Sequence, residues 1–148
     1  MKLIIFGPPG SGKGTYASRI SPIFNIPHIS TGDILREEVK KKSKIGIQAA
    51  SYVESGQLVP DDLATFVLKR RLKENDCKNG FILDGYPRTL QQAMDLEKIT
   101  KIDVVINLSV PDWLIVKRLS AREVCKNCGA IYNKLTLRPK VAGKCDKC

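Results

Sequence analysis

The sequence predicts an α/β fold in which a parallel sheet is flanked by helices. Short apolar runs alternate with helical patterns from Met1 to about Leu119, and such alternation implies right-handed strand–helix–strand crossovers. A glycine-rich loop joins the first apolar run to the first helix. After Arg122 the alternation stops, and cysteine, glycine, lysine and asparagine become frequent. A small separate module is therefore expected at the end of the chain.

Four strands are predicted from runs rich in large apolar side chains, as in parallel strands that are covered on both faces. In chain order they cover residues 1–6, 27–30, 81–84 and 104–108. The third run is ended by Gly85-Tyr86-Pro87. Ligands of parallel sheets bind at the carboxyl ends of the strands, so functional residues are expected at that edge.

Six helices are predicted from apolar residues spaced three and four apart, with proline near the start of the fourth and sixth helices and Gly56 after the third. They cover about 13–24, 33–39, 45–54, 60–72, 90–98 and 111–119. The fourth helix is expected to carry one apolar stripe, formed by Leu63, Phe66, Val67 and Leu72.

Composition indicates a globular protein of the cytoplasm. The chain has 148 residues, 43% hydrophobic and 27% charged, which suits one hydrophobic core. No apolar run approaches the ~20 residues of a membrane span, and the start lacks the order of a signal peptide. The net charge of +10 fits either anionic nucleotides or a nucleic acid. No membrane or nucleic-acid partner is expected.

The loop Gly7-Pro8-Pro9-Gly10-Ser11-Gly12-Lys13-Gly14-Thr15 has the spacing of a P-loop, in which backbone N–H groups converge on phosphate oxygens. The helix that follows adds the positive end of its dipole, and Lys13 adds a point charge. The usual Ser or Thr after the lysine is replaced by Gly14. We therefore expect a hydrated Mg²⁺ rather than one bound directly by this loop.

Two further motifs follow strands. Ser30-Thr31-Gly32-Asp33-Ile34-Leu35-Arg36 follows the second, and Asp84-Gly85-Tyr86-Pro87-Arg88, with Gln92 nearby, follows the third. With the P-loop, these motifs resemble the nucleoside monophosphate kinases and, within them, the adenylate kinase family, over the whole chain. The resemblance implies a three-layer P-loop kinase fold, with a core over 1–120, a monophosphate-binding segment at about 30–59, and the first part of a zinc-binding lid over 121–148.

The resemblance also implies a monomer that transfers a phosphoryl group reversibly from ATP to AMP, giving ADP, with Mg²⁺. Its implied catalytic residues are Lys13, Arg88, Arg122 and Asp84, the last holding waters of the hydrated Mg²⁺. Its implied ATP contacts are Gly10, Ser11, Gly12, Lys13, Gly14, Thr15, Arg118, Arg122, Ile131 and Tyr132. Its implied AMP contacts are Thr31, Gly32, Arg36, Gln57, Leu58, Val59, Gly85, Tyr86, Pro87, Arg88 and Gln92.

Two cysteine pairs, Cys125–Cys128 and Cys145–Cys148, are separated by sixteen residues, a spacing typical of zinc ribbons. Four thiolates leave no open position on a tetrahedral Zn²⁺, so the predicted site is structural. Two disulfides, or iron in place of zinc, remain alternatives. Cys77 is predicted to be a buried structural cysteine, and His28, in a short apolar strand, is predicted to be structural rather than catalytic.

Three alternative functions remain open. The resemblance favours AMP, because the adenylate kinase branch typically has threonine at the position of Thr31, but a kinase for UMP or CMP is the nearest alternative. A zinc ribbon that binds nucleic acid would explain the cysteines and the charge, although not the P-loop. The third is a nucleotide-binding remnant, because the chain ends at the last predicted ligand, Cys148, whereas members of the family continue. The chain is accordingly expected to be a fragment and at best a weak kinase.

Overall fold

A computed structural model describes residues 1–148. The chain divides into two compact units. The first contains Met1–Phe6 and Lys13–Asn107, and the second contains Gly7–Gly12 and Leu108–Cys148. The division predicted at residue 120 remains a prediction.

The first unit is built on a four-stranded parallel sheet, as predicted. Its strands are β1 (Lys2–Phe6), β2 (His28–Ser30), β3 (Phe81–Asp84) and β4 (Val104–Asn107). Their order is β2-β3-β1-β4, and every pair is parallel. Ser30 pairs with Asp84 in the register of β2 and β3. The two strands therefore end side by side, which brings the segments that follow them together.

Five helices pack in this unit: α1 (Lys13–Phe24), α2 (Thr31–Lys40), α3 (Lys44–Ser55), α4 (Asp61–Leu72) and α5 (Leu90–Ile99). Helix α2 begins two residues earlier than predicted, because the Ser30 side chain accepts a hydrogen bond from the N–H of Asp33 and caps it. Helix α3 ends at Gly56, which has a φ of +72°. Glycine adopts this left-handed conformation without steric cost.

The core of the first unit packs residues of the sheet against α4 and α5. Its buried members include Ile4, Ile29, Leu83, Val67, Leu68, Tyr86 and Leu96. The predicted stripe of α4 is wrong at one position, because Phe66 is 56% exposed whereas Leu68 is completely buried. Residues 64, 67 and 68 face the core instead, which is also a valid i, i+3, i+4 face.

Strand β4 lies at one edge of the sheet. The side chains of Val104 and Val105 are both exposed, although valine pairs are usual in buried parallel strands. None of the helices of the chain is both long and apolar enough to cross a bilayer.

The second unit contains α6 (Asp112–Ser120) and a short antiparallel hairpin of β5 (Arg122–Val124) and β6 (Ile131–Asn133). Its buried side chains are few. Ala121, Ala130 and Tyr132 are buried, whereas no residue of α6 is. Because apolar burial is the main source of stability, this unit depends on something other than a hydrophobic core.

Candidate active site and metal centre

The adjacent ends of β2 and β3 open into a pocket in the first unit. Thr31, the first residue of α2, donates a hydrogen bond from Oγ1 to the backbone oxygen of Gly85 at 3.0 Å. The two motifs that follow these strands are thus joined. All the predicted AMP-site residues except Pro87 line this one pocket, together with Leu35, Val53, Gly56 and Ala64. The fold therefore brings three separate stretches of sequence to one cavity.

Two arginines make the pocket cationic. The guanidinium of Arg36 is ion-paired with Asp33, one turn back on α2. Arg88 donates from Nε to the backbone oxygen of Gly85 at 2.8 Å. Gly85 has a φ of +79°, and a Cβ there would lie 2.9 Å from Nη2 of Arg88. The positive φ favours glycine at this position, whereas the end of the Arg88 side chain could move to make room for a Cβ. Guanidinium groups bind phosphate through paired hydrogen bonds and stay charged.

Gln92 is buried at the inner wall of the pocket, and its side-chain amide makes two hydrogen bonds to neighbours. Its Oε1 accepts a hydrogen bond from the N–H of Arg88, and its Nε2 donates to Oδ1 of Asp61, both at 2.8 Å. Thr89 donates to Oδ2 of Asp61 at 2.9 Å. Sequence reasoning missed Asp61 and Thr89, because helix-start signals explain both residues and nothing in the sequence pairs them with Gln92.

Asp84 lies at the end of β3, next to the beginning of α1. A Cβ built on Gly14 would lie 3.5 Å from Oδ2 of Asp84. The same Oδ2 is 3.2 Å from Nε2 of His28. A carboxylate beside the first turn of α1, with no hydroxyl at residue 14, suits a Mg²⁺ that keeps most of its water.

The glycine-rich loop, Gly7–Gly12, belongs to the second unit. Three of its residues have positive φ, +145° at Gly7, +85° at Gly10 and +100° at Gly12. Glycines with positive φ are common in the concave loops where backbone N–H groups bind anions, although the N–H of Ser11 is bonded to the backbone oxygen of Pro8 at 3.1 Å in this structure. The hydroxyl oxygen of Ser11 is buried without a hydrogen-bond partner, as expected of a group placed for a ligand. Arg118 donates from Nη1 to the backbone oxygen of Ser11 at 3.1 Å.

The remaining predicted ATP contacts are distributed differently. Lys13, Gly14 and Thr15 begin α1 in the first unit, whereas Arg122 and Ile131 are exposed on the hairpin of the second. Tyr132 is buried, and its hydroxyl accepts a hydrogen bond from the N–H of Asp146 at 2.6 Å and lies 3.4 Å from Sγ of Cys145. The side chain of Tyr132 therefore faces the cysteines.

The four cysteines of the second unit form a cluster that can hold a metal ion. Their Sγ atoms all lie within 4.8 Å of one another, with Cys125 to Cys148 and Cys128 to Cys145 both at 3.5 Å. All four are free thiols, so the structure does not support the disulfide alternative. A tetrahedral ion with bonds of ~2.3 Å needs sulfur atoms ~3.8 Å apart. The observed spacing fits that geometry.

Hydrogen bonds favour the thiolate form at two of these positions. The hydroxyl of Tyr132, followed by the N–H of Lys147, lowers the pKa of Cys145 to about 6. The N–H groups of Cys128 and Asn127 lower the pKa of Cys125. Donors that point at sulfur are the usual outer partners of thiolate ligands. Cys77 differs, because burial raises the pKa of its thiol to about 11, and the prediction that it is buried is confirmed.

A glycine-rich loop of P-loop spacing before a helix, together with an arginine-lined pocket at the ends of parallel strands, is typical of one class: the P-loop phosphotransferases that act on nucleotides. The family model for adenylate kinase matches residues 5–145. The chain is 52% identical to the adenylate kinase of Thermosipho africanus over 153 aligned residues, which cover 100% of this chain and 72% of that relative. It is 52% identical to the adenylate kinase of Caldicellulosiruptor saccharolyticus and 50% identical to that of Archaeoglobus fulgidus, covering 71% and 70% of them.

This chain belongs to the adenylate kinase family. Its function is accordingly the reversible transfer of a phosphoryl group from ATP to AMP, which gives two molecules of ADP.

Proposed function

We propose that the pocket at the ends of β2 and β3 is the AMP site, with Arg36 and Arg88 binding the phosphate. The observation that carries this proposal is that the pocket is lined by residues from α2, from the turn after α3 and from the turn after β3. The arginines give it positive charge, and Leu35, Val53 and Val59 give it an apolar wall. A nucleoside monophosphate complements both features, because its phosphate is anionic and its base is flat and largely apolar.

The donor phosphates are assigned to the glycine-rich loop, Lys13, Arg118 and Arg122. Backbone N–H groups of the loop and the first turn of α1 bind anionic oxygens. No side chain is needed as a covalent nucleophile, because phosphoryl transfer depends on alignment and on neutralisation of charge. Mg²⁺, held through its waters by Asp84, would neutralise charge on the donor phosphates.

The cysteine cluster is assigned to a structural zinc ion. Zn²⁺ bound by four thiolates supplies folding free energy and has no open position for chemistry. This assignment suits a unit that buries only a few side chains. By analogy with the family, the protein is proposed to act as a monomer in the cytoplasm.

The acceptor assignment is tested by measuring nucleotide binding calorimetrically. The Arg88→Ala variant is expected to bind AMP about 10- to 100-fold more weakly, because charged hydrogen bonds to phosphate are lost. Arg19→Ala is the matched control, since this arginine of α1 does not line the pocket and its removal should leave AMP binding unchanged. Unchanged AMP binding by Arg88→Ala would contradict the assignment, as would tighter binding of UMP or CMP than of AMP.

A further inference from the structure

The side-chain amide of Gln92 is held in one orientation by two neighbours of opposite character. The backbone N–H of Arg88 donates to Oε1, and Nε2 donates to the carboxylate of Asp61. Turning the amide over would set Oε1 against the carboxylate and the NH₂ group against another N–H donor. Gln92 is only 2% exposed, so water cannot relieve either mismatch.

Asp61 is itself held in place. It is the first residue of α4, and its Oδ2 accepts a hydrogen bond from Oγ1 of Thr89 at 2.9 Å. The same hydroxyl accepts from the N–H of Gln92 at 3.1 Å and caps α5. The beginnings of α4 and α5 are thus tied together, and each carboxylate oxygen has its own donor. Asp61 does not line the pocket and acts only through Gln92.

The orientation of this amide decides which purine it can recognise. After the two internal hydrogen bonds, one N–H and one oxygen lone pair remain for a ligand. Adenine presents an amino donor at C6 next to an acceptor at N1, whereas a 6-oxopurine presents an acceptor at C6 next to a donor at N1. An amide with a fixed orientation can pair with the donor–acceptor edge of only one of these two kinds of purine. In the same binding pose, the other purine would set a donor against a donor and an acceptor against an acceptor. Sites that leave buried polar groups unpaired reject the wrong substrate strongly.

We propose that Asp61 is a specificity-determining positioning residue, which fixes the Gln92 amide so that the pocket selects 6-aminopurine over 6-oxopurine monophosphates. The inference rests on the proposed function, because it requires the base of the acceptor nucleotide to reach Gln92. It adds a residue outside the pocket whose charge, rather than its shape, sets the preference.

The test compares AMP, inosine 5′-monophosphate and ribose 5-phosphate in calorimetric titrations of the 148-residue chain. In Asp61→Asn the new amide can donate or accept, so one of the two constraints on the orientation of Gln92 is removed, and only the N–H of Arg88 still favours the original orientation. The preference for AMP over inosine monophosphate is expected to fall about tenfold. Ribose 5-phosphate, which has no base, should bind as before. Asp62→Asn is the matched control, because it removes the same charge from the same helix start, and it should keep the preference.

A second pair of variants tests the same inference if Asp61→Asn does not fold. Thr89→Val removes one donor to Asp61 and should reduce the preference about threefold, whereas Thr89→Ser keeps the hydroxyl and should restore it. An unchanged preference in both Asp61→Asn and Thr89→Val overturns the inference, as does an equal loss in Asp62→Asn.

The two proposals fail in different ways. If Arg88→Ala weakens AMP binding but Asp61→Asn leaves the base preference unchanged, the AMP site stands and only the role of Asp61 is overturned. If Arg88→Ala has no effect on AMP binding, the AMP-site assignment is overturned, and the role of Asp61 with it.

Discussion

The imidazole of His28, on β2, lies beside the carboxylate of Asp84 at the end of β3, with Nε2 3.2 Å from Oδ2. With the carboxylate ionised, Nε2 is the donor. The side chains are only 21% and 13% exposed. The only histidine of the chain therefore orients the residue assigned to hydrated Mg²⁺. The prediction that His28 is structural thereby gains a specific role, which is to hold the carboxylate of Asp84.

Asp84 should govern the Mg²⁺ dependence of ATP binding. Asp84→Asn keeps the size of the side chain but removes its charge, and it is expected to raise the Mg²⁺ concentration needed for half-maximal enhancement of ATP binding about tenfold. His28→Leu should raise it by a smaller factor, because the carboxylate loses its partner but keeps its charge. His28→Gln retains a donor and serves as the control. If Asp84→Asn titrates like the unmodified chain, the carboxylate does not hold the metal waters.

Gly46 should be intolerant of a side chain. It lies in the first turn of α3, and a Cβ there would be 2.0 Å from the backbone oxygen of Glu38. Gly46→Ala is therefore expected to lower the free energy of unfolding by about 3 kcal/mol, since the backbone must move. Urea unfolding measures the change.

Gly14→Ala is the comparison for Gly46→Ala, because this helical glycine has ordinary room for a Cβ, 3.5 Å from the nearest side-chain atom. Its stability should stay the same or rise by up to ~1 kcal/mol. Equal losses for the two variants would show that close approach of the backbone is not the cause.

The Glu38 carboxylate should make stability depend on acid pH. Hydrogen bonds from Ser43, then from Arg70 on α4, lower the pKa of Glu38 below its ordinary value of 4.5. A lowered folded-state pKa stabilises the fold at pH values above the unfolded pKa, and the gain is lost as pH falls through the folded value.

Glu38→Gln should therefore cost about 1 kcal/mol at pH 7, and the difference from the unmodified chain should shrink below about pH 4.5. Thermal unfolding across this pH range measures it. Glu37→Gln is the control, because Glu37 is an exposed residue paired only with Lys41. A difference that grows on acidification would contradict this account.

Removal of the metal should unfold the second unit. Cys148→Ser is expected to reduce bound zinc, measured by elemental analysis, from about one ion per chain to far less, because a structural site needs all four thiolates. Amide exchange in β5 and β6 should then accelerate, since few side chains are buried there. Cys77→Ser should leave the zinc content unchanged. Protein that contains no zinc and four free thiols when purified without added metal would refute the assignment.

Local sequence signals were sufficient for most of the fold. The alternation of strands and helices predicted the parallel sheet, and the bounds of all six helices agree with the prediction within two residues. The face that a helix buries was less predictable. Phe66 fits the apolar stripe of α4 by spacing, yet Leu68 is buried in its place, because packing selects among helix faces that spacing alone leaves equivalent.

The residues of the candidate site also divide into those that local sequence predicts and those that only the fold brings together. The P-loop and the cysteine pairs were predicted from spacing, and the two arginine motifs from resemblance to the family, because each keeps its proposed ligand-binding groups within a few residues of one another. Asp61 and His28 gave no such signal. Their partners, Gln92 and Asp84, lie 31 and 56 residues away along the chain, and only the folded sheet brings them within hydrogen-bonding distance.

The sequence by itself determined the class of fold, the family and the residues proposed to bind phosphate and metal, because these depend on local motifs and on short-range spacing. Tertiary structure alone decided which way the Gln92 amide faces, which group orients Asp84, and that Tyr132 turns toward the cysteines. These features depend on long-range contacts in a buried, low-dielectric environment, where a single donor or acceptor fixes the orientation of its neighbour.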